Sequence, residues 1–128
     1  MRLLLDTCTF PWIVGGSSRL SAAAREAHRD PSNAVLLSAV SSWEIAVEHA
    51  MGRLRLPDVP ARFVPMQRAA HSVAELPLTE GAALRVALLP ALHRDPFDRM
   101  LVAQALEESL TIVTPDPAIH EHPVRTLW

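Results

Sequence analysis

Four acidic residues, far apart along the chain, each stand beside an apolar run: Asp6, Glu44, Asp98 and Asp116. Asp6 ends the run Leu3-Leu4-Leu5, Glu44 follows the apolar stretch at 34–37, and Asp116 lies just past the run at 110–113. Asp98 falls three residues after Asp95, at the start of a helical pattern. Carboxylates brought within a few ångströms repel one another and cannot all ionise unaided. Mg²⁺ or Mn²⁺ relieves that repulsion, because hard cations take oxygen ligands and keep several waters. A cation so held activates water and neutralises charge on a phosphodiester under in-line attack. Phosphodiester hydrolysis is the chemistry such a set suits.

Each acid also has a purely structural reading. Asp95-Pro96 has the N-cap-then-proline form, with Asp98 at the third helical position, and Asp116-Pro117 repeats the form. Ser41-x-x-Glu44 has the spacing of a capping box, and the backbone dipole favours acids at helix N-termini in general. Taken singly, cap and ligand are evenly matched. Both readings put the carboxylates in the same place, so their convergence decides between them.

The elements that must position these residues follow from patterning. Residues 2–5, 34–38 and 110–114 are short continuous apolar runs, as expected of strands covered on both faces. Residues 73–78 read as an edge strand, interrupted by Glu75 and Pro77, and 124–127 as a final short strand. Helical patterns lie between them. A short or broken helix over 7–14 stops at Gly15-Gly16, and a second, capped by Ser18 or Ser21, runs to about Arg29. A third opens at Ser41 and is closed by Gly52. Residues 61–71 look helical despite Pro65, Thr79-Glu80 opens a helix ended by Pro90, and Asp95 opens one running to about Ser109, with Phe97, Leu101 and Ala105 on its buried stripe. Strands alternating with helices predict a mainly parallel sheet with helices on both faces, a three-layer α/β/α sandwich of four to five strands. Ligands in such folds collect outside the carboxyl ends of the strands. The helix that begins at Asp98 runs antiparallel to the strand it feeds, so all four acids are expected at one edge.

Composition narrows the function classes. The 128 residues fit one domain, 1–128. No apolar run approaches the ~20 residues of a membrane span, and the single cysteine suits a reducing, cytoplasmic setting. The net charge of −2 gives no global basic field. All twelve basic residues are arginine. Without lysine the phosphate-binding P-loop, Schiff-base chemistry and the kinase reading of His93-Arg94-Asp95 are excluded, while arginine remains available for phosphates. A haloacid-dehalogenase pattern needs an acid where Cys8 stands, and Cys8 reads as a small apolar filler. His120 and His122 read as solvent-exposed loop residues.

The motifs Leu-Leu-Leu-Asp6-Thr, Ser-x-x-Glu44-Ile, Asp95-Pro-Phe-Asp98-Arg-x-Leu-x-Ala-Gln-Ala and Thr114-x-Asp116 resemble those of PIN-domain nucleases, and the closing Pro123-Val-Arg-Thr-Leu-Trp128 is similar to the VapC toxins of VapBC toxin–antitoxin pairs. The resemblance spans essentially the whole chain. It implies a Mg²⁺- or Mn²⁺-dependent endoribonuclease that hydrolyses RNA, inhibited by a small VapB-like antitoxin and acting as a homodimer. It implies Asp6, Glu44 and Asp98 as core acids, Asp116 as the fourth and more variable one, Thr114 as the hydroxyl that orients them, and Asp95 as cap or support. Asp6 and Asp98 would hold the metal directly, with Glu44 and Asp116 contacting it directly or through water. Arg94 and Arg99 flank the cluster and are candidates for RNA phosphates, with a salt bridge to a carboxylate the other reading of Arg99. A hydrophobic groove near the first helices, where Trp12 is expected to be accessible, would receive an antitoxin segment. The alternatives are a catalytically silent PIN-like binding module, against which the intact acid set argues, and another Mg²⁺-dependent phosphohydrolase on a similar sheet.

Overall fold

The three leucines before Asp6 alternate between the two faces of a buried strand, as side chains on a pleated backbone must. Leu3 and Leu5 enter one hydrophobic cluster with Phe10, Ile13, Leu37 and Phe63. Leu4 enters the other, with Leu101, Val102, Ile112 and Ile119. A strand buried on both sides belongs to a sheet with helices above and below. The computed structural model, which describes residues 1–91 and 95–128, has that form. Arg94 lies outside the described residues.

In chain order the elements are β1 (Arg2–Leu5), α1 (Thr9–Gly15), α2 (Ala22–Arg29), β2 (Ala34–Ser38), α3 (Ala39–Ala50), α4 (Pro60–Ala70), β3 (Ala74–Leu76), α5 (Glu80–Arg85), a 3₁₀ turn (Val86–Leu88), α6 (Pro96–Glu108), β4 (Thr111–Val113), α7 (Pro117–His120) and β5 (Thr126–Leu127). Among the described residues the strands form one five-stranded sheet in the order β3-β2-β1-β4-β5, and every pairing is parallel. Leu4 of central β1 sits opposite Leu36 of β2 and Ile112 of β4. The chain therefore moves outward from β1 in one direction through β2 and β3, then crosses back to β4 on its other side. The crevice between β1 and β4 is the point where the winding reverses, the place where α/β sheets bind ligands.

Local chemistry fixes the helix ends. Ser21 accepts a hydrogen bond from the Ala24 N–H and Thr79 from that of Ala82. Asp95 accepts from the N–H groups of Phe97 and Asp98. Gly16, at φ 62°, closes α1 in the left-handed conformation that glycine adopts without strain.

Three expectations change. The third helix is not opened by a Ser41–Glu44 capping box: the chain turns directly from β2 into α3, and the Ser38 hydroxyl caps it by accepting from the Val40 N–H. Glu44 therefore lies in the second turn, released from capping. The helix opened by Thr79 gives way after Arg85 to the 3₁₀ turn. His122 is not exposed but buried, because the turn after α7 folds back on the fully buried Ile119, with the His122 N–H donating to the Ile119 carbonyl. His120 is exposed as expected, one ring nitrogen 3.0 Å from the Thr114 carbonyl oxygen.

Candidate active site

Asp6 follows directly on β1, where the backbone leaves the sheet. Its N–H still bonds the Val113 carbonyl of β4 at 3.1 Å, which sets its side chain over the β1/β4 crevice. Both carboxylate oxygens are held: Oδ1 accepts from the Thr7 N–H at 2.7 Å and Oδ2 from the Thr114 hydroxyl at 2.7 Å. The Thr114 hydroxyl in turn accepts from the Asp116 N–H at 3.0 Å. One buried hydroxyl thus ties the end of β1 to the loop after β4. Asp116 caps α7 by accepting from the Ala118 N–H, so Pro115 and Pro117 stiffen a loop whose acid is already fixed in place.

Asp98 reaches the same place from the first turn of α6, where the Asp95 cap and Pro96 set the helix start. Glu44 comes from the second turn of α3. Asp6, Glu44, Asp95, Asp98 and Asp116 all line one cavity of about 380 Å³, together with Thr7, Cys8, Pro11, Ile45, Glu48, Arg53 and Leu54. The convergence expected of the four acids is present.

The electrostatics show the strain of that arrangement. Burial, and then the neighbouring charges of Asp6, Asp95, Asp116 and Glu44, push the Asp98 carboxyl up to about 8. Burial also raises Asp6, against the opposing hydrogen bonds from Thr114 and Thr7. Glu44 is raised as well, by burial first and by Asp95 and Asp6 after it. Its Oε1 is buried and has no hydrogen-bond partner among the described residues. The Cys8 thiol, 3.9 Å from Asp6 Oδ2, is pushed up to about 12 by burial and by the Asp6 charge. Cys8 forms part of the cavity wall.

Among the described residues no three acid, histidine or cysteine side chains stand close enough together to cage an ion directly. The donor set still fits a hydrated divalent cation. It is made of carboxylates, one of its oxygens is a buried acceptor with no donor among the described residues, and Mg²⁺ keeps several waters that span such gaps.

Two candidates fall elsewhere. The Arg99 guanidinium donates to the carbonyls of Pro90 at 2.8 Å and Val86 at 3.1 Å, which pins the 3₁₀ turn to α6. Trp12 is half-buried, its ring centroid 5.9 Å from that of Trp128. Sequence patterning missed Arg53. It lies in the connection after α3, where no periodicity marks a residue, and only the cavity reveals it.

A parallel sheet that gathers acids at its reversal point defines a class, and the chain belongs to it: it is a member of the PIN domain family, whose sequence profile matches residues 3–124. Over nearly its whole length it is similar to ribonuclease VapC22 of Mycobacterium tuberculosis (strain ATCC 25618 / H37Rv), at 33% identity covering 98% of each chain. Its fold is similar to that in the crystal structure of VapBC2 from Rickettsia felis bound to a DNA fragment from their promoter, with a TM-score of 0.72, 11% identity, and coverage of 99% of this chain and 98% of that one. It is also similar to VapBC-1 from nontypeable Haemophilus influenzae, with a TM-score of 0.65, 16% identity, and coverage of 99% and 97%. Among the described residues no helix is long and apolar enough to cross a membrane.

Proposed function

We propose that this chain is a Mg²⁺- or Mn²⁺-dependent endoribonuclease, the toxin of a type II toxin–antitoxin pair, and that residues 1–128 form one PIN-like nuclease domain working in the cytoplasm. The observation that carries the reading is the meeting of Asp6, Glu44, Asp98 and Asp116, from four separate parts of the chain, on one cavity at the reversal point of the sheet. Full-length similarity to a protein named as a ribonuclease supports RNA as substrate. Structural neighbours that are VapBC complexes support a small VapB-like antitoxin as partner, and the resemblance to VapC toxins implies a homodimer as the working form.

In this reading Asp6 and Asp98 hold the cation, with Glu44 and Asp116 reaching it directly or through water. The cation, when bound, supplies an activated water and offsets charge on the phosphodiester. The rest is the work of the chain. Thr114 and the Thr7 N–H fix the Asp6 carboxylate in one orientation. Asp95, by capping α6, presents Asp98 at the cavity wall. Glu44 keeps one buried oxygen, Oε1, without a donor among the described residues. The half-exposed Trp12 leaves part of its ring to the antitoxin.

The test is cleavage of single-stranded RNA with Mn²⁺ by the wild-type chain and by Asp6→Asn and Asp98→Asn. Each substitution is expected to lower the rate by at least about a hundredfold, since several kcal/mol of charge stabilisation is at stake. Undiminished cleavage by both variants would refute the assignment.

A further inference from the structure

The cavity is lined by six carboxylates, those of Asp6, Glu44, Glu48, Asp95, Asp98 and Asp116, and among its described lining residues by a single cation, Arg53. A polyanionic strand entering this cavity meets repulsion from every described charged wall residue but that one. Resting on the ribonuclease reading above, we propose that Arg53 binds a phosphate of the RNA strand adjacent to the phosphate lying over the acids.

The local structure positions Arg53 for that role. Gly52, at φ 73°, reverses the chain at the end of α3 in a conformation other residues adopt only with strain. The N–H groups of Arg53 and Leu54 then both donate to the Glu48 carbonyl, at 2.9 and 3.2 Å. Leu54 packs against the core and anchors the turn. The backbone under Arg53 is therefore fixed while its side chain remains 62% exposed at the cavity mouth. The Glu48 carboxylate stands 3.7 Å from the guanidinium. An ion pair this open orients the side chain without holding it strongly, and a guanidinium has five N–H donors, enough to receive a phosphate as well. Arg99, by contrast, donates to the backbone carbonyls of Pro90 and Val86.

The experiment measures binding of a fluorescently labelled single-stranded RNA oligonucleotide by anisotropy across a salt series, in EDTA so that nothing is cleaved. Arg53→Ala is expected to weaken binding about tenfold, the usual loss for a hydrogen bond to a charged group. It should also reduce the slope of log affinity against log salt by about 0.7, the value for one phosphate contact on a single strand. Arg53→Lys should keep the slope, and Arg55→Ala, an exposed arginine outside the cavity lining, should change neither quantity. In cleavage assays with Mn²⁺ the Arg53→Ala loss should appear in KM, with kcat within about twofold. An Arg53→Ala protein that matches Arg55→Ala in affinity and salt slope would overturn the proposal. A wild-type chain that binds RNA with the expected Arg53 dependence yet cleaves nothing would refute the ribonuclease reading and leave the Arg53 contact standing.

Discussion

At the scale of the residue, burial raises three carboxyl groups of the site, those of Asp6, Glu44 and Asp98, above their ordinary values. Asp98, pushed up to about 8, is the extreme case. Below about pH 4 it is protonated in both folded and unfolded chains, and its burial carries no charge penalty. Between about 4 and about 8 the unfolded chain releases the proton while the folded chain keeps it, so stability falls across that window and levels off above it. Asp6 and Glu44 are raised too and act in the same direction. In the cation-free protein the melting temperature should therefore decline from pH 5 to pH 8, and Asp98→Asn, which has no proton to lose, should flatten the decline. Equal slopes in calorimetry of the two proteins would contradict this account. Cys8 makes a second prediction. A thiol pushed up to about 12 has almost no thiolate at pH 8, so labelling by a disulfide reagent should be at least about a hundredfold slower in the folded chain than in denaturant.

At the scale of the element, helix ends deliver the acids. Asp95 caps α6 through two backbone N–H groups. Asp95→Ala should lower stability by about 1 kcal/mol in chemical denaturation, and Asp95→Asn should restore most of it, because asparagine caps as well as aspartate. At the far end of the same helix Ser109 holds φ 55°, a left-handed conformation costly for a residue with a Cβ. Ser109→Gly should stabilise the chain by about 0.5–1 kcal/mol. These ends were legible in the sequence where the chemistry is local: Asp95-Pro96, Asp116-Pro117, Thr79 and Gly52 act where their residue types say they act. Glu44 shows where local reading stops. Ser41-x-x-Glu44 has a perfect capping-box spacing, but β2 runs straight into α3, and Ser38, being nearer the turn, takes the cap. With the cap taken by Ser38, Glu44 lines the cavity.

At the scale of the whole molecule, function follows from the order of the strands. Apolar runs announced the parallel sheet, because strands covered on both faces leave no polar alternation. They also placed Asp6 and the 110–114 strand, and the resemblance to PIN nucleases named the acids that the sheet then brought together. What patterning could not supply was the inventory of walls contributed by loops. Arg53 sits in a connection without periodicity, and His122 is buried by a turn whose direction depends on packing against Ile119. Both are set by tertiary contacts that no window of the sequence contains.

These carboxylates are proposed to converge on a divalent cation. Melting of the purified chain at pH 7 with and without Mn²⁺ tests it most directly, since a cation that binds only the folded state stabilises it by mass action. Mn²⁺ should raise the melting temperature of the wild-type protein and leave that of Asp6→Asn and Asp98→Asn nearly unchanged. A wild-type protein indifferent to Mn²⁺, or variants that respond as it does, would contradict the claim.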